Sequence, residues 1–270
     1  MSLLPAILRR VRIYVAGPVT VEAGQAIIHE RDLPGSQGRT VLAMLAVEHR
    51  RPLSRDQLAD ELWPDRLPRS FQTALRAIVS KVRAALTAGG AGHDLVGNAF
   101  GCYQFRFPPD GWLDSESAAR ALHAAQTDLA RGNAMAASVN ATVTCLICSR
   151  PFLAGVTSPW VCGQRERLAG LHVEARECLA EAFAQTGDFA DAARSAATGL
   201  MIDPYREALH QLLIRSRALA GDRTGAARAF ARYRELLARE LGIGPTRETV
   251  AIYRESLAAT GRQPAPNQLC

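Results

Sequence analysis

Between Arg69 and Leu86 the polar side chains Gln72, Thr73, Arg76 and Ser80 recur at helical spacing. Arg69, Lys81 and Arg83 lie around them, and no acidic residue interrupts the set. Amides, hydroxyls and guanidinium groups can exchange hydrogen bonds with base edges, whereas cations near a helix end meet phosphate sooner. In the same stretch Ala74, Leu75, Ile78, Val79, Val82 and Leu86 form an apolar stripe, so one helix would bury one side and present the other. A helix of that kind fits the DNA major groove. The chemistry expected is non-covalent: Gln72, Thr73, Arg76 and Ser80 read bases, while Arg69, Lys81 and Arg83 hold phosphates. A charged helix face standing alone is commonly just solvated, so its setting has to decide.

Other reactive groupings are weaker. Cys145 and Cys148 form a CxxC, and Cys162 and Cys178 would make four thiolates. The chain lacks the two close pairs in turns that zinc knuckles use, and these cysteines sit singly or in apolar helical contexts that suit buried thiols. Together with Cys102 and Cys270 they are expected to stay reduced, without structural disulfides. His29, His49, His93, His123, His172 and His210 are scattered, without an HExxH or a triad-like grouping. Ser36 sits in PGSQG, where Pro34 replaces the first glycine of a nucleophile elbow. No Walker-type GxxxxGK[ST] string is present. Trp63, Trp112 and Trp160 are far apart and adjoin helix ends, which suits core packing better than base stacking. No catalytic, cofactor or metal residues are assigned, and an enzyme reading has no anchor.

The elements that must hold the basic helix can be read in order. Val11 to Val21 and Gln25 to His29 suggest short strands, and Asp32 to Gly38 a turn-rich passage before a helix from Thr40 to Glu48. Ser54 and Gln57 have capping-box spacing for a helix from Arg55 to Leu62. Trp63 and Pro64 end that helix, and a tight connection leads to the longer one, which opens at Arg69 or Ser70. Past the glycines at 89–92, Val96 to Phe107 reads as a hairpin with its tip at Gly97 to Gly101. Sheet, three helices and hairpin in that order define a winged helix-turn-helix. Pro108 to Gly111 mark a boundary.

Downstream the chain reads as all helix: Asp114 to Arg131, Ala134 to Cys148, Gln164 to Thr186, Phe189 to Met201, Tyr205 to Ala220, Thr224 to Leu241 and Arg247 to Ala258. Gly187, Asp188, Ala192 and Ala193 recur as Gly221, Asp222, Ala226 and Ala227, the 34-residue period of tetratricopeptide repeats. The expected fold is mainly α with small β-sheets: a winged-helix domain over 1–108, a tetratricopeptide-like domain over 109–260, and a disordered tail over 261–270.

Composition agrees with this outline. The 270 residues are 48% hydrophobic and 6% aromatic, and their net charge is +6, carried by arginines and the single lysine, Lys81. A basic balance suits nucleic acid, and guanidinium forks suit phosphate and guanine. No apolar run approaches bilayer-spanning length and no secretory cleavage site is evident, so a cytoplasmic protein without membrane contact is expected.

Gly38 to Leu86, especially GRTVLAMLAVEHRRPLSRDQLADELWPD and ALRAIVSKVRAAL, resembles the OmpR-type winged helix of the Streptomyces antibiotic regulatory protein family. GCYQF at Gly101 to Phe105 resembles the strand of that family's wing. RPFLAG at Arg150 to Gly155, the long stretch Ile202 to Pro245, and ETVAIY at Glu248 to Tyr253 resemble its bacterial transcriptional activator domain. The resemblance implies a transcriptional activator that binds direct repeats of double-stranded DNA upstream of a promoter. It implies two protomers side by side as a homodimer on DNA, recruitment of RNA polymerase and activation of a biosynthetic cluster. No receiver, forkhead-associated or nucleotide-hydrolysing segment is recognisable, so the chain resembles a short, stand-alone member, and no small effector can be named. Cys148 departs from the aromatic residue that related chains often place before RPFLAG. Two other classes stay open: a tetratricopeptide-like interaction adaptor without specific DNA binding, and a thiol-metal sensor.

Overall fold

A computed structural model describes residues 10–92 and 94–259. His93 and the tail expected to be disordered lie outside the described residues. The chain divides into two compact units: the described residues up to Ala119 with Leu146–Leu168, and Arg120–Cys145 with Ala169 onward.

In the first unit Val11 and Ile13 turn inward while Arg12 and Tyr14 are only half-buried, the alternation that makes β1 (Val11–Tyr14). β1 pairs antiparallel with β2 (Thr20–Ala23), and β2 with β3 (Ala26–Ile28). Next come α1 (Gly35–Val47), β4 (Leu53–Ser54), α2 (Arg55–Leu62), α3 (Phe71–Ala88), β5 (Val96–Ala99), β6 (Cys102–Phe105) and β7 (Trp112–Leu113). β7 corrects the expectation that everything beyond the Pro108–Gly111 boundary is helical: it pairs in parallel with β1, giving the order β3-β2-β1-β7. Two residues are too few for a periodicity to announce a strand. The Asp114 carboxylate locks this pairing by accepting the Val15 and Ala16 amides at 3.0 and 2.9 Å.

α1 starts five residues earlier than expected, taking in much of the passage read as turns. Gly35, at φ 65°, turns the chain into it, and the Thr40 hydroxyl bonds back to the Ser36 carbonyl at 2.9 Å. α2 has the expected limits and cap: Ser54 Oγ accepts the Gln57 amide at 3.1 Å, and the Gln57 side chain accepts the Ser54 amide at 3.0 Å. The link to α3 is not tight. It runs from Trp63 to Ser70, so α3 begins after Arg69, and Pro64 and Pro68 explain why no helix fills the gap. Val41, Leu42 and Leu45 of α1, Leu58 of α2, and Leu75, Val79, Val82 and Leu86 of α3 form the core with Leu53, Tyr103 and Phe105. β4, β6 and β5 make the second sheet, in that order.

α4 (Asp114–Ala130), α5 (Ala134–Cys148) and α6 (Pro159–Thr186) follow, then α7 (Phe189–Leu200), α8 (Glu207–Leu219), α9 (Arg223–Leu241) and α10 (Arg247–Ala259). α6 begins five residues before the expected Gln164, with Pro159 at its first position, where a missing N–H costs nothing, and the Cys162 amide on the Ser158 carbonyl. In the second unit alanines let helices approach closely: Ala125, Ala141 and Ala175 join Leu122, Cys145, Cys178 and Leu179 in one cluster. Ala180, Ala196, Ala226 and Ala229 surround Leu209, Leu213 and Ile214 in another.

The 34-residue repeat is a repeated backbone geometry. Gly187 and Gly221 both have φ 85°, the Asp188 and Asp222 amides bond to the carbonyls five residues back, and the buried Ala192 and Ala226 donate to Asp188 and Asp222. A third copy sits upstream. Gly132 has φ 74°, the Asn133 amide reaches the Asp128 carbonyl at 2.8 Å, and buried Ala137 donates to Asn133 at 3.0 Å. It is out of the 34-residue register because Leu146–Leu168, which pack in the first unit, lie between.

Candidate nucleic-acid interface

α3 is oriented by what it buries. With Leu75, Val79, Val82 and Leu86 in the core, the opposite side must face outward, and Thr73, Arg76, Ser80 and Lys81 are exposed; Gln72, in line with the buried stripe, is exposed in the first turn. Thr73, Arg76 and Ser80 follow one another at spacings of three and four, so they share a face, with the small exposed Ala77 and Ala84 beside them. The alanines keep that face low enough for close approach by a large partner. Arg69 is exposed in the turn before the helix, next to the positive end of its dipole. Among the described residues no carboxylate pairs with Arg69, Arg76 or Lys81. The structure thus brings six of the seven expected residues to open surface.

Arg83 is different. It is half-buried, its Nε donates to the Val96 carbonyl at 3.0 Å, and its guanidinium lies 5.9 Å from the Tyr103 ring centre. That side chain ties the hairpin to α3 before it can do anything else. The hairpin is a two-residue connection: Ala99 pairs with Cys102, and Phe100 and Gly101 between them have φ 50° and 80°. β6 is held on its other edge by β4 through Leu53 opposite Tyr103 and Ser54 opposite Cys102. The Gln104 side chain donates to the His49 carbonyl at 2.9 Å.

Sequence reading missed three exposed residues of this surface. Arg66 lies in the link before α3, Arg106 follows β6, and Phe100 forms the hairpin tip. Arg106 was legible only in space: its guanidinium lies where a Cβ on Gly97 would fall, 2.9 Å away. Phe100 has a signal in sequence, since an aromatic directly before the glycine of a two-residue turn is unusual.

The competing groupings do not assemble. Among the described residues no three His, Cys, Asp or Glu side chains are placed to hold a metal. Burial pushes the Cys145 thiol up and the Cys178 thiol to about 11, opposite to what a thiolate ligand needs. Ser36 is exposed in the first turn of α1. Trp112 packs on Tyr14 with ring centres 5.0 Å apart. Trp160 lies 5.7 Å from Phe152 and donates to Glu48 at 3.0 Å. RPFLAG also packs in this unit: Arg39 donates to the Ala154 carbonyl at 2.6 Å, Arg165 to those of Phe152 and Leu153, and Gly17 to that of Pro151. No helix among the described residues is long and apolar enough to cross a membrane.

The chain is similar to known proteins. Residues 113–257 match the bacterial transcriptional activator domain family. The regulatory protein AfsR of Streptomyces griseus is 26% identical over 97% of this chain, and its Streptomyces coelicolor namesake is 28% identical over 77%. The chain spans only 27% and 20% of those relatives' lengths. Mycobacterium tuberculosis EmbR, solved in complex with a low affinity phosphopeptide, superposes with a TM-score of 0.82 over 95% of this chain and 66% of its own, at 24% identity. That likeness speaks to fold: a winged helix followed by a helical domain. The chain belongs to the bacterial transcriptional activator domain family of transcription regulators, with the winged-helix and helical-repeat organisation of the Streptomyces antibiotic regulatory proteins.

Proposed function

We propose that the protein is a sequence-specific activator that binds duplex DNA through α3 in the cytoplasm. One observation carries this: an outward helix face with Arg76 and Lys81 on it, no acidic residue in the helix, and no carboxylate among the described residues pairing with either cation. Unpaired cations next to small side chains match a partner that brings its own dense negative charge. Arg69 and Lys81 contact phosphate, and so does Arg66, exposed in the link before α3. Gln72, Thr73, Arg76 and Ser80 meet base edges. Arg83 keeps its phosphate role only through the guanidinium nitrogens that its bond to Val96 leaves over, and serves first to set the hairpin. Two protomers side by side on direct repeats, and recruitment of RNA polymerase through the helical unit, complete the proposal on family grounds.

Fluorescence anisotropy on the promoter next to the protein's own gene, against random duplex, tests it. Binding should fall steeply with salt as counterions are released. Arg76→Ala should weaken the preferred site by about 1–3 kcal/mol more than random duplex, while Lys81→Ala weakens both alike and lowers the salt slope by about one. Equal loss on both duplexes in both variants refutes the assigned roles.

A further inference from the structure

Phe100 is fully solvent-exposed, at 106% of the reference area, and its φ of 50° lies in the left-handed region. A two-residue turn with both residues at positive φ suits the twist of a hairpin, but Asn, Asp or Gly occupy its first position without strain. A bulky side chain there is a backbone outlier. Single exposed apolar residues are common and need no explanation by themselves. Here the exposure and the disfavoured backbone coincide at the outermost point of a hairpin anchored to the basic helix, a conjunction that points to a ligand.

The surroundings say which kind. Arg83 lies seven residues beyond Arg76, hence within roughly 20° of it around the helix axis. Through its bond to Val96 the hairpin leaves α3 beside the row that presents Arg76. From Val96 to the tip the strand covers about 13 Å at ~3.3 Å per residue. Half a turn of duplex, the distance to the next groove, is about 17 Å. From Val96 to Phe105 the hairpin carries no charged side chain, so its tip is not built to grip phosphate. Arg106, exposed at its base with the guanidinium against Gly97, supplies that charge instead. What a neutral ring can use on DNA is the stacked faces of the bases.

We propose that Phe100 is an apolar wedge that enters the minor groove beside the segment read by α3, parts one base step and bends the duplex there. The proposal rests on duplex binding through α3. Wedges of this kind kink DNA toward the major groove, most cheaply at pyrimidine–purine steps, so Phe100 also favours such a step at a position no hydrogen bond reads.

The test compares wild type, Phe100→Gly, Phe100→Trp and Lys81→Ala, all as full chains. The probe is the duplex of the protein's own promoter, labelled at both ends so that anisotropy and end-to-end energy transfer report affinity and bend over a range of salt. Glycine accepts positive φ, so Phe100→Gly should melt no lower than wild type, and by roughly 2–4 °C higher. It should lose roughly tenfold in affinity and lose the bend, at an unchanged salt slope, because a neutral ring releases no counterions. Phe100→Trp should keep the bend. If Phe100→Gly binds and bends the duplex as wild type does, the wedge is overturned while reading by α3 stands, and the ring then serves a protein partner. If the salt slope of Phe100→Gly falls as that of Lys81→Ala does, the tip acts on phosphate and the wedge is likewise overturned. If wild type itself ignores the duplex at low salt, both proposals fall.

Discussion

Arginines stand in opposite settings on the surface of the helical repeats and on α3. In the repeats Arg206 meets Glu177 at 2.8 Å, Arg215 meets Glu181 at 2.9 Å, and Arg194 meets Asp191 at 2.6 Å, as Arg39 and Arg51 meet Glu30 and Glu48 elsewhere in the first unit. On α3 and the turn before it, Arg69, Arg76 and Lys81 have no such partner among the described residues. The contrast separates charge that trims the stability of a surface from charge held ready for something else. Exposed ion pairs contribute little in any case. The repeats owe their stability to packed apolar residues, and the winged helix keeps its polar face free because its packed stripe already holds the helix in place.

The comparison can be broken most forcefully in the core. Leu209 is fully buried, and its side chain lies where a Cβ on Gly199 of the neighbouring helix would clash, at 2.6 Å. Leu209→Ala should destabilise the helical unit by about 2–5 kcal/mol in urea unfolding, and a loss below 1 kcal/mol would show that packing does not dominate there. Next in size, Gly221→Ala and Gly132→Ala should each cost about 1 kcal/mol, because both backbones sit at positive φ. Equal losses would sharpen the view that Gly132 begins a true third copy of the repeat, and a neutral Gly132→Ala would remove it. Smaller still, Arg215→Ala should cost roughly 0–1 kcal/mol, and Arg76→Ala should lie within about 0.5 kcal/mol of wild type in stability, whatever it does to the proposed DNA binding. A stability loss at Arg76 larger than that at Arg215 would reverse the contrast.

The finest test is pH. His210 is buried, stacked on Tyr233 with ring centres 3.8 Å apart, and donates from Nε2 to the Pro204 carbonyl at 2.9 Å. Burial pushes its pKa below the ordinary imidazole value, against the opposing pull of the Pro204 carbonyl, Glu207 and Asp203. His172 is lowered too, by burial first and then by the Arg176 guanidinium. A histidine held low binds fewer protons folded than unfolded. Its contribution is therefore complete above the unfolded value, about 6.5, and is lost as pH falls below it. Melting temperature should drop between pH 7 and 5, and His172→Gln with His210→Gln should flatten the drop. A flat wild-type profile would contradict this.

Much of the fold was legible because it rests on local rules. The alternation in Val11–Tyr14, the capping box at Ser54 and Gln57, and the apolar stripe of α3 each follow from near neighbours along the chain. The helices of the repeats were legible for the same reason, with ends displaced by a residue or two except at α6, which begins five residues early. β7 and the membership of Leu146–Leu168 in the first unit were not, since a two-residue parallel strand and a segment made of two helix ends and the loop between them acquire their places only from distant partners. In the candidate site, exposure of Thr73, Arg76, Ser80 and Lys81 could be inferred from helical periodicity, whereas Gln72 continues the spacing of the buried stripe and is exposed because it sits in the first turn. The occupation of Arg83 by the hairpin could not, because Val96 meets it through a fold and not through a spacing.

By itself, the sequence determined that a helix with one apolar and one basic side would form after Arg69, and that alanine-rich helices would follow it along the chain. Side-chain period and backbone preference settle such matters within a few residues. Only the tertiary structure decided which cations stay unpaired among the described residues, that Arg83 braces a hairpin, and that Phe100 stands fully exposed at its tip. Those outcomes depend on which surfaces distant segments cover, and coverage is a property of the packed chain.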